Sequence, residues 1–306
     1  MSMPSTKSDV SWTSVLLLPL LLAGLGGWGG AAIKAGLGTA APTGAVLSEP
    51  LTIVIAPRDF SYRAAGDYYK NGVAVDGPMQ TVSMTRPLTI MKYQVSNADY
   101  ALCVEAGACA AAEPEYPAAN RKTIPATGIS YGDAQDYASW LSQRTGAVWT
   151  LPTDEELAFA AGSRFPDDAL GADQSSSNPA ERWLANYARE AQLKTSRDPD
   201  PKPAGHFGEN EFGFADFGGN IWEWTTTCSR RIDLGSSNPE RNETADCGIY
   251  HAIGKHRAPM VFFVRNPKGG GCAVGTPPDN LGFRLVKDTR WYAPLFRYLQ
   301  GRGLLT

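Results

Sequence analysis

The residues of this 306-residue chain whose types could do chemistry are few: five cysteines, three histidines and one glycine-rich run that sets two carboxylates among tryptophans. That run is Asp216-Phe217-Gly218-Gly219-Asn220-Ile221-Trp222-Glu223-Trp224. The carboxylates of Asp216 and Glu223, with backbone carbonyls at Gly219 and Ile221, put hard oxygen donors on a tight turn, the kind of irregular cage that Ca²⁺ takes. The competing reading is a glycine turn capped by Asp216, with Trp222 and Trp224 packed in a core. Cys103 and Cys109 lie close enough to staple a helix end to the loop after it. Cys228 and Cys247 bracket a polar stretch that a disulfide could close. Cys272 is left over as the one candidate catalytic residue. It is either a lone reactive thiol or a buried, inert one, and free cysteines are usually the second. His251 and His256 stand five apart with no carboxylate partner, which suits structural or exposed histidines better than catalytic ones. Neither C-x-x-C pairs nor His-rich spacing occurs, so no structural zinc site is expected.

Three helices that must position these residues carry their own start signals. Ser96-Asn97-Ala98-Asp99 opens a helix through Tyr100, Val104 and Glu105, with Gly107 as its stop. Ser130-Tyr131-Gly132-Asp133 opens a second, with Ala134, Tyr137, Ala138 and Leu141 at helical spacing and Gly146 beyond its end. Thr153-Asp154-Glu155-Glu156 is a capping box ahead of Leu157–Ala161. Leu51–Ala56 reads as the opening strand, and short strands are expected at Thr81–Met84 and Phe283–Val286. With 32 glycines and 22 prolines between such elements, the expected class is a loop-rich α+β fold.

The apolar share of 43% and charged share of 19% allow a buried core, and a net charge of −3 offers no basic field, so nucleic acid is not an expected partner. Residues 14–33 carry no charge and are long enough to cross a hydrocarbon core of ~30 Å. Residues 1–33 therefore read as a signal peptide with a cleavage site after Ala32, or as an uncleaved membrane anchor. Pro19 and the glycine run argue against a buried soluble helix. Residues 34–50 read as a linker, 51–288 as the domain and 289–306 as a tail. The stretch Trp291–Leu305 suits docking to a partner or a membrane surface, or packing back on the domain. Both N-terminal readings place the domain in the periplasm or another extracytoplasmic space, where disulfides persist.

Five blocks then fall in a recognisable order. Lys92-Tyr93-Gln94-Val95-Ser96-Asn97-Ala98-Asp99-Tyr100 resembles the KYEVTNAxY segment of the formylglycine-generating enzyme, or sulfatase-modifying-factor, family. Ile129–Ala134 with Trp140-Leu141-Ser142 is similar to that family's VSWxDAxxYxxWLS helix, and Leu151–Ala161 to its LPTEAEWEYAA. Asn210–Trp224 is similar to PNxFGLYDMxGNVWEW, and Asn280–Val286 to the closing NLGFRLV. Together they cover roughly three-quarters of the chain. The resemblance implies a loop-rich fold related to C-type lectins and calcium at Asp216, Gly219, Ile221 and Glu223. A second calcium site matches in part, through Asn186 with Asp198 or Asp200.

The family reaction oxidises a substrate cysteine with O₂ at a pair of cysteines after an RGGS turn, where thiolates bind Cu(I). This chain departs from that pattern. Lys268-Gly269-Gly270-Gly271-Cys272 imitates the turn but lies too close to Gly282-Phe283-Arg284, and no second thiol accompanies it. Copper is therefore not expected, and whether the chain is an enzyme stays open. Two readings follow. One is an exported accessory or maturation factor that binds a client protein, a metalloenzyme or another exported oxidoreductase, as NirV-like and PvdO-like branches of the family imply. The other is an oxidase acting on a protein cysteine or another substrate group.

Overall fold

A computed structural model describes residues 49–116, 122–169, 178, 180–181, 184–185, 187–188, 191–192, 198–235, 242–269 and 278–295. The chain divides into two units, Met1–Ala45 and Val46–Thr306, and every described residue belongs to the second. The expected signal or anchor segment lies outside the described residues, as does the linker up to residue 48. Among the described residues no helix is long and apolar enough to cross a membrane.

The helices start where their caps dictate. α1 (Asn97–Glu105) begins after Ser96, whose hydroxyl accepts the Asp99 N–H at 3.1 Å. α2 (Tyr131–Thr145) is closed by a reciprocal pair: Ser130 Oγ accepts the Asp133 N–H, and Asp133 accepts the Ser130 N–H at 2.9 Å. It ends on Gly146, whose φ of 71° is left-handed and open to glycine at no steric cost. α3 (Asp154–Ala161) has the anticipated box, with Glu156 accepting the Thr153 N–H at 2.8 Å and Thr153 accepting the Glu156 N–H at 3.0 Å.

Twelve strands are present among the described residues. β1 (Thr52–Ile55), β6 (Leu88–Met91), β12 (Val286–Asp288) and β7 (Val148–Thr150) form an antiparallel sheet in that order. A second sheet runs β10 (Arg257–Val261), β9 (Glu243–Ile253), β8 (Trp222–Asp233), β3 (Asp67–Lys70) and β4 (Val73–Val75). β11 (Leu281–Gly282) also pairs with β8 there, in parallel, as does β3. β2 (Arg58–Arg63) and β5 (Met79–Met84) make a separate hairpin-like pair. One apolar cluster joins α1 and α2 to β8 through Tyr100, Tyr137, Trp149, Trp224 and Phe283. A second joins α3 to the antiparallel sheet through Leu157, Phe159, Ile90, Phe214 and Val286. The class is α+β, as the sequence predicts.

Three details differ from the sequence reading. The strand expected at Phe283–Val286 is interrupted: β11 ends at Gly282 and β12 starts at Val286. Between them the Phe283 and Leu285 carbonyls accept the Val95 and Met91 N–H groups, tying down the segment that follows β6. The stretch between Cys228 and Cys247 is largely two paired strands rather than a loop, and its disulfide links β8 to β9. Glu49, assigned to the linker, belongs to the domain, where both its carboxylate oxygens receive Lys287 Nζ at 2.8 and 3.0 Å. The Cys103–Cys109 bond is present and ties the last turn of α1 to its loop.

Candidate functional site at the Asp216–Glu223 turn

The turn is laid down by Asn210. Its Oδ1 accepts the Phe212 and Phe214 N–H groups at 2.9 Å, and its Nδ2 donates to the Ala160 and Ala161 carbonyls at the end of α3. The chain then reaches Asp216, a non-glycine residue with a φ of 61°. That left-handed backbone is held because both carboxylate oxygens are engaged: Oδ2 accepts the Gly205 N–H at 2.6 Å and Oδ1 the Phe207 N–H at 2.8 Å. A Cβ on Gly219 would come within 2.7 Å of the Phe207 ring, so glycine is required for this approach. Asn220 exchanges two hydrogen bonds with Lys202, each 2.9 Å, and β8 begins.

Glu223, the second residue of β8, is 0% exposed, and so is Arg284. The guanidinium forks onto the carboxylate, Nε to Oε2 at 2.5 Å and Nη2 to Oε1 at 2.7 Å. The remaining Arg284 donors reach the carbonyls of Met91, Lys92 and Ala215, and its carbon stacks 3.9 Å from the Phe214 ring centre. Gln94 completes the group, donating from Nε2 to Glu223 Oε1 at 2.8 Å. A buried pair survives only when both charges are matched and hydrogen-bonded, and here both are.

This arrangement bears on calcium. Asp216, Gly219, Ile221 and Glu223 do lie on one turn. Yet a calcium cage needs several oxygens free to converge on one point. The oxygens of Asp216 face two backbone N–H groups, and those of Glu223 face a guanidinium whose own charge would repel a cation beside it. The four residues therefore do not fit calcium as arranged. Of the partial second site, Asn186 lies outside the described residues. Asp198 and Asp200 both lie against Lys202, with Asp198 3.0 Å from its Nζ.

Cys272 also lies outside the described residues. His251 is 5% exposed on β9, and neither ring nitrogen has a hydrogen-bond partner. Burial, then the charges of Arg257 and Arg230, pulls its pKa down to about 4, so the ring is neutral. His256 sits edge-on to Trp222, whose indole N–H donates to the His256 carbonyl at 3.1 Å. A second buried ion cluster lies at the start of β10, where Arg257 bridges Asp154 at 2.8 Å and Asp168 at 3.0 Å. Burial pushes the Asp154 carboxyl up, opposed by Arg257. Among the described residues no three His, Cys, Asp or Glu side chains are grouped to hold a metal ion.

The sequence reading missed Arg284 and Gln94 as partners of Glu223. The signal was available: an arginine amid Leu281, Phe283, Leu285 and Val286 must be buried, and a buried arginine needs a carboxylate.

A sequence profile of the sulfatase-modifying factor enzyme 1-like domain matches residues 39–289. The chain belongs to that family. It is 33% identical over 192 residues to the formylglycine-generating enzyme of Mycobacterium tuberculosis, covering 56% of this chain and 59% of that protein. It is 26% identical over 166 residues to the inactive C-alpha-formylglycine-generating enzyme 2 of Bos taurus, covering 53% and 49%. The chain thus spans about half to three-fifths of the length of these curated relatives. Among solved structures it is similar to PvdO from Pseudomonas aeruginosa, with 22% identity and a TM-score of 0.49 over 78% of this chain and 94% of that one. It is a divergent member of the sulfatase-modifying-factor family.

Proposed function

We propose that this protein is an exported accessory or maturation factor that binds a client protein and does not generate formylglycine. The supporting observation is the use of its thiols. Four of the five cysteines are engaged in the Cys103–Cys109 and Cys228–Cys247 disulfides, which leaves Cys272 alone. A copper-dependent thiol oxidase of this family needs two thiolates on one Cu(I) ion, and one thiolate cannot supply a two-coordinate site. The similarity to inactive C-alpha-formylglycine-generating enzyme 2 proteins supports the same reading, since those relatives carry inactivity in their names. A client that is a metalloenzyme or another exported oxidoreductase fits an accessory role outside the cytoplasm.

The experiment offers the protein a peptide bearing the Cys-x-Pro-x-Arg sulfatase motif with copper and oxygen, and follows conversion of the thiol to an aldehyde by mass spectrometry. No product above the no-enzyme control is expected, and Cys272→Ser should change nothing. Turnover abolished by that substitution would establish the oxidase reading instead.

A further inference from the structure

The chain enters and leaves the domain at one place. Glu49, at the approach to β1, accepts Lys287 Nζ of β12 at 2.8 and 3.0 Å. Val54 stands opposite Thr89, which in turn stands opposite Lys287, so β1, β6 and β12 set these residues on one row of the sheet. Past β12 the chain turns. The Ala293 N–H donates to the Arg290 carbonyl at 3.0 Å, and Arg290 Nε donates to Asp288 at 2.8 Å. Arg86, just before β6, hydrogen-bonds the Tyr292 hydroxyl. Ala293 is buried, which fixes the turn on the domain.

The turn presents apolar side chains outward. Trp291 is 89% exposed and Leu295 56%, so neither packs back on the domain. Val54, on the row shared with Lys287, is 67% exposed. Residues 289–306 contain Arg290, Arg297 and Arg302 and no aspartate or glutamate. With Asp288 set against Arg290, Arg297 and Arg302 remain as surplus positive charge in this stretch. Exposed tryptophan and leucine beside unmatched arginines suit the headgroup level of an anionic bilayer, where apolar burial and electrostatic attraction add. Position favours lipid over a protein partner. Residues 34–48, fifteen in number, tether Glu49 to the uncharged stretch of residues 14–33, and such a length spans at most about 50 Å. With that stretch in a bilayer, the tail begins beside the tether, so a weak affinity suffices to hold it on the lipid.

We propose that the segment from Arg290 onward docks on an anionic membrane surface, with Trp291 and Leu295 at the headgroup level and its arginines on lipid phosphates. It rests on the export proposed above and not on the client. A vesicle assay reads lipid contact whatever the compartment, whereas a cytoplasmic reporter fusion reads the compartment, so the two can fail separately. The full chain is reconstituted into vesicles of brominated phosphatidylcholine, alone or with about a third phosphatidylglycerol. The N-terminal stretch meets both lipids alike, and the emission of Trp291 is the difference between wild type and Trp291→Phe. That emission should be quenched at least about twofold more in the anionic vesicles. Arg297→Gln with Arg302→Gln should abolish the difference, and Trp291→Phe should leave the melting temperature unchanged because the ring is exposed. Equal quenching in the two vesicle types, or in wild type and the arginine variant, would overturn the proposal. Absence of quenching in both types would also overturn it, and would leave the tail to a protein partner.

Discussion

Glu223 and Arg284 each lie where an unmatched charge could not persist, so each fixes the other. Glu223→Gln keeps the shape but leaves the guanidinium facing a neutral amide, and should cost about 3–5 kcal/mol. Chemical denaturation measures that loss, and an apolar pair at both positions should recover much of it. Because Arg284 already supplies the positive charge, wild type should melt at the same temperature in calcium and in chelator. A calcium-dependent rise in melting temperature that Asp216→Asn removes would mean that calcium competes with Arg284 for this turn. His251 makes a different prediction. An unfolded histidine gains its proton near pH 6.5, whereas the folded ring resists it down to about pH 4. Between those values the unfolded chain binds more protons, so stability falls as the pH drops, and above pH 6.5 the effect is absent. The loss amounts to about 2–3 kcal/mol by pH 4.5. His251→Leu should flatten that acid limb, as read from denaturation midpoints at pH 7 and 4.5; parallel losses in both proteins would show that the ring is protonated when folded.

At the level of elements, legibility followed locality. α1, α2 and α3 could be read because Ser96, Ser130 and Thr153 announce their starts within four residues. The long strands β8 and β9 were not read. Their outer halves carry Arg230, Arg231, Glu243 and Asp246, so no apolar alternation marks them. They pair through the Cys228–Cys247 bond and contacts such as Arg230 with Glu243, which exist only once the hairpin has closed. The turn from Asp216 to Glu223 was recognisable as a site because its donors are contiguous. Its charge partner was legible only by half: the apolar setting of Arg284 calls for a carboxylate, but nothing in the linear order links it to Glu223, 61 residues away. The same limit applies to Gln94, quoted as part of a motif but bonded to Glu223 across 129 residues.

For the whole molecule the prediction is one of side. A domain preceded by the uncharged stretch of residues 14–33 and holding two disulfides should lie outside the cytoplasm. A reporter active only in the cytoplasm, fused after Thr306, should stay silent; a bright one would end the export proposal. The sheet order has a bearing on when the protein takes shape. β3 pairs with the far end of β8, 164 residues later, and β8 in turn waits for β11. Arg284 gathers carbonyls from Met91, Lys92 and Ala215 in one step. Such pairings cannot form on the ribosome until residues as late as Arg284 have emerged, and they close slowly because long loops must be brought together first. The growing polypeptide consequently lacks a finished centre until the segment that carries Leu281 and Arg284 arrives.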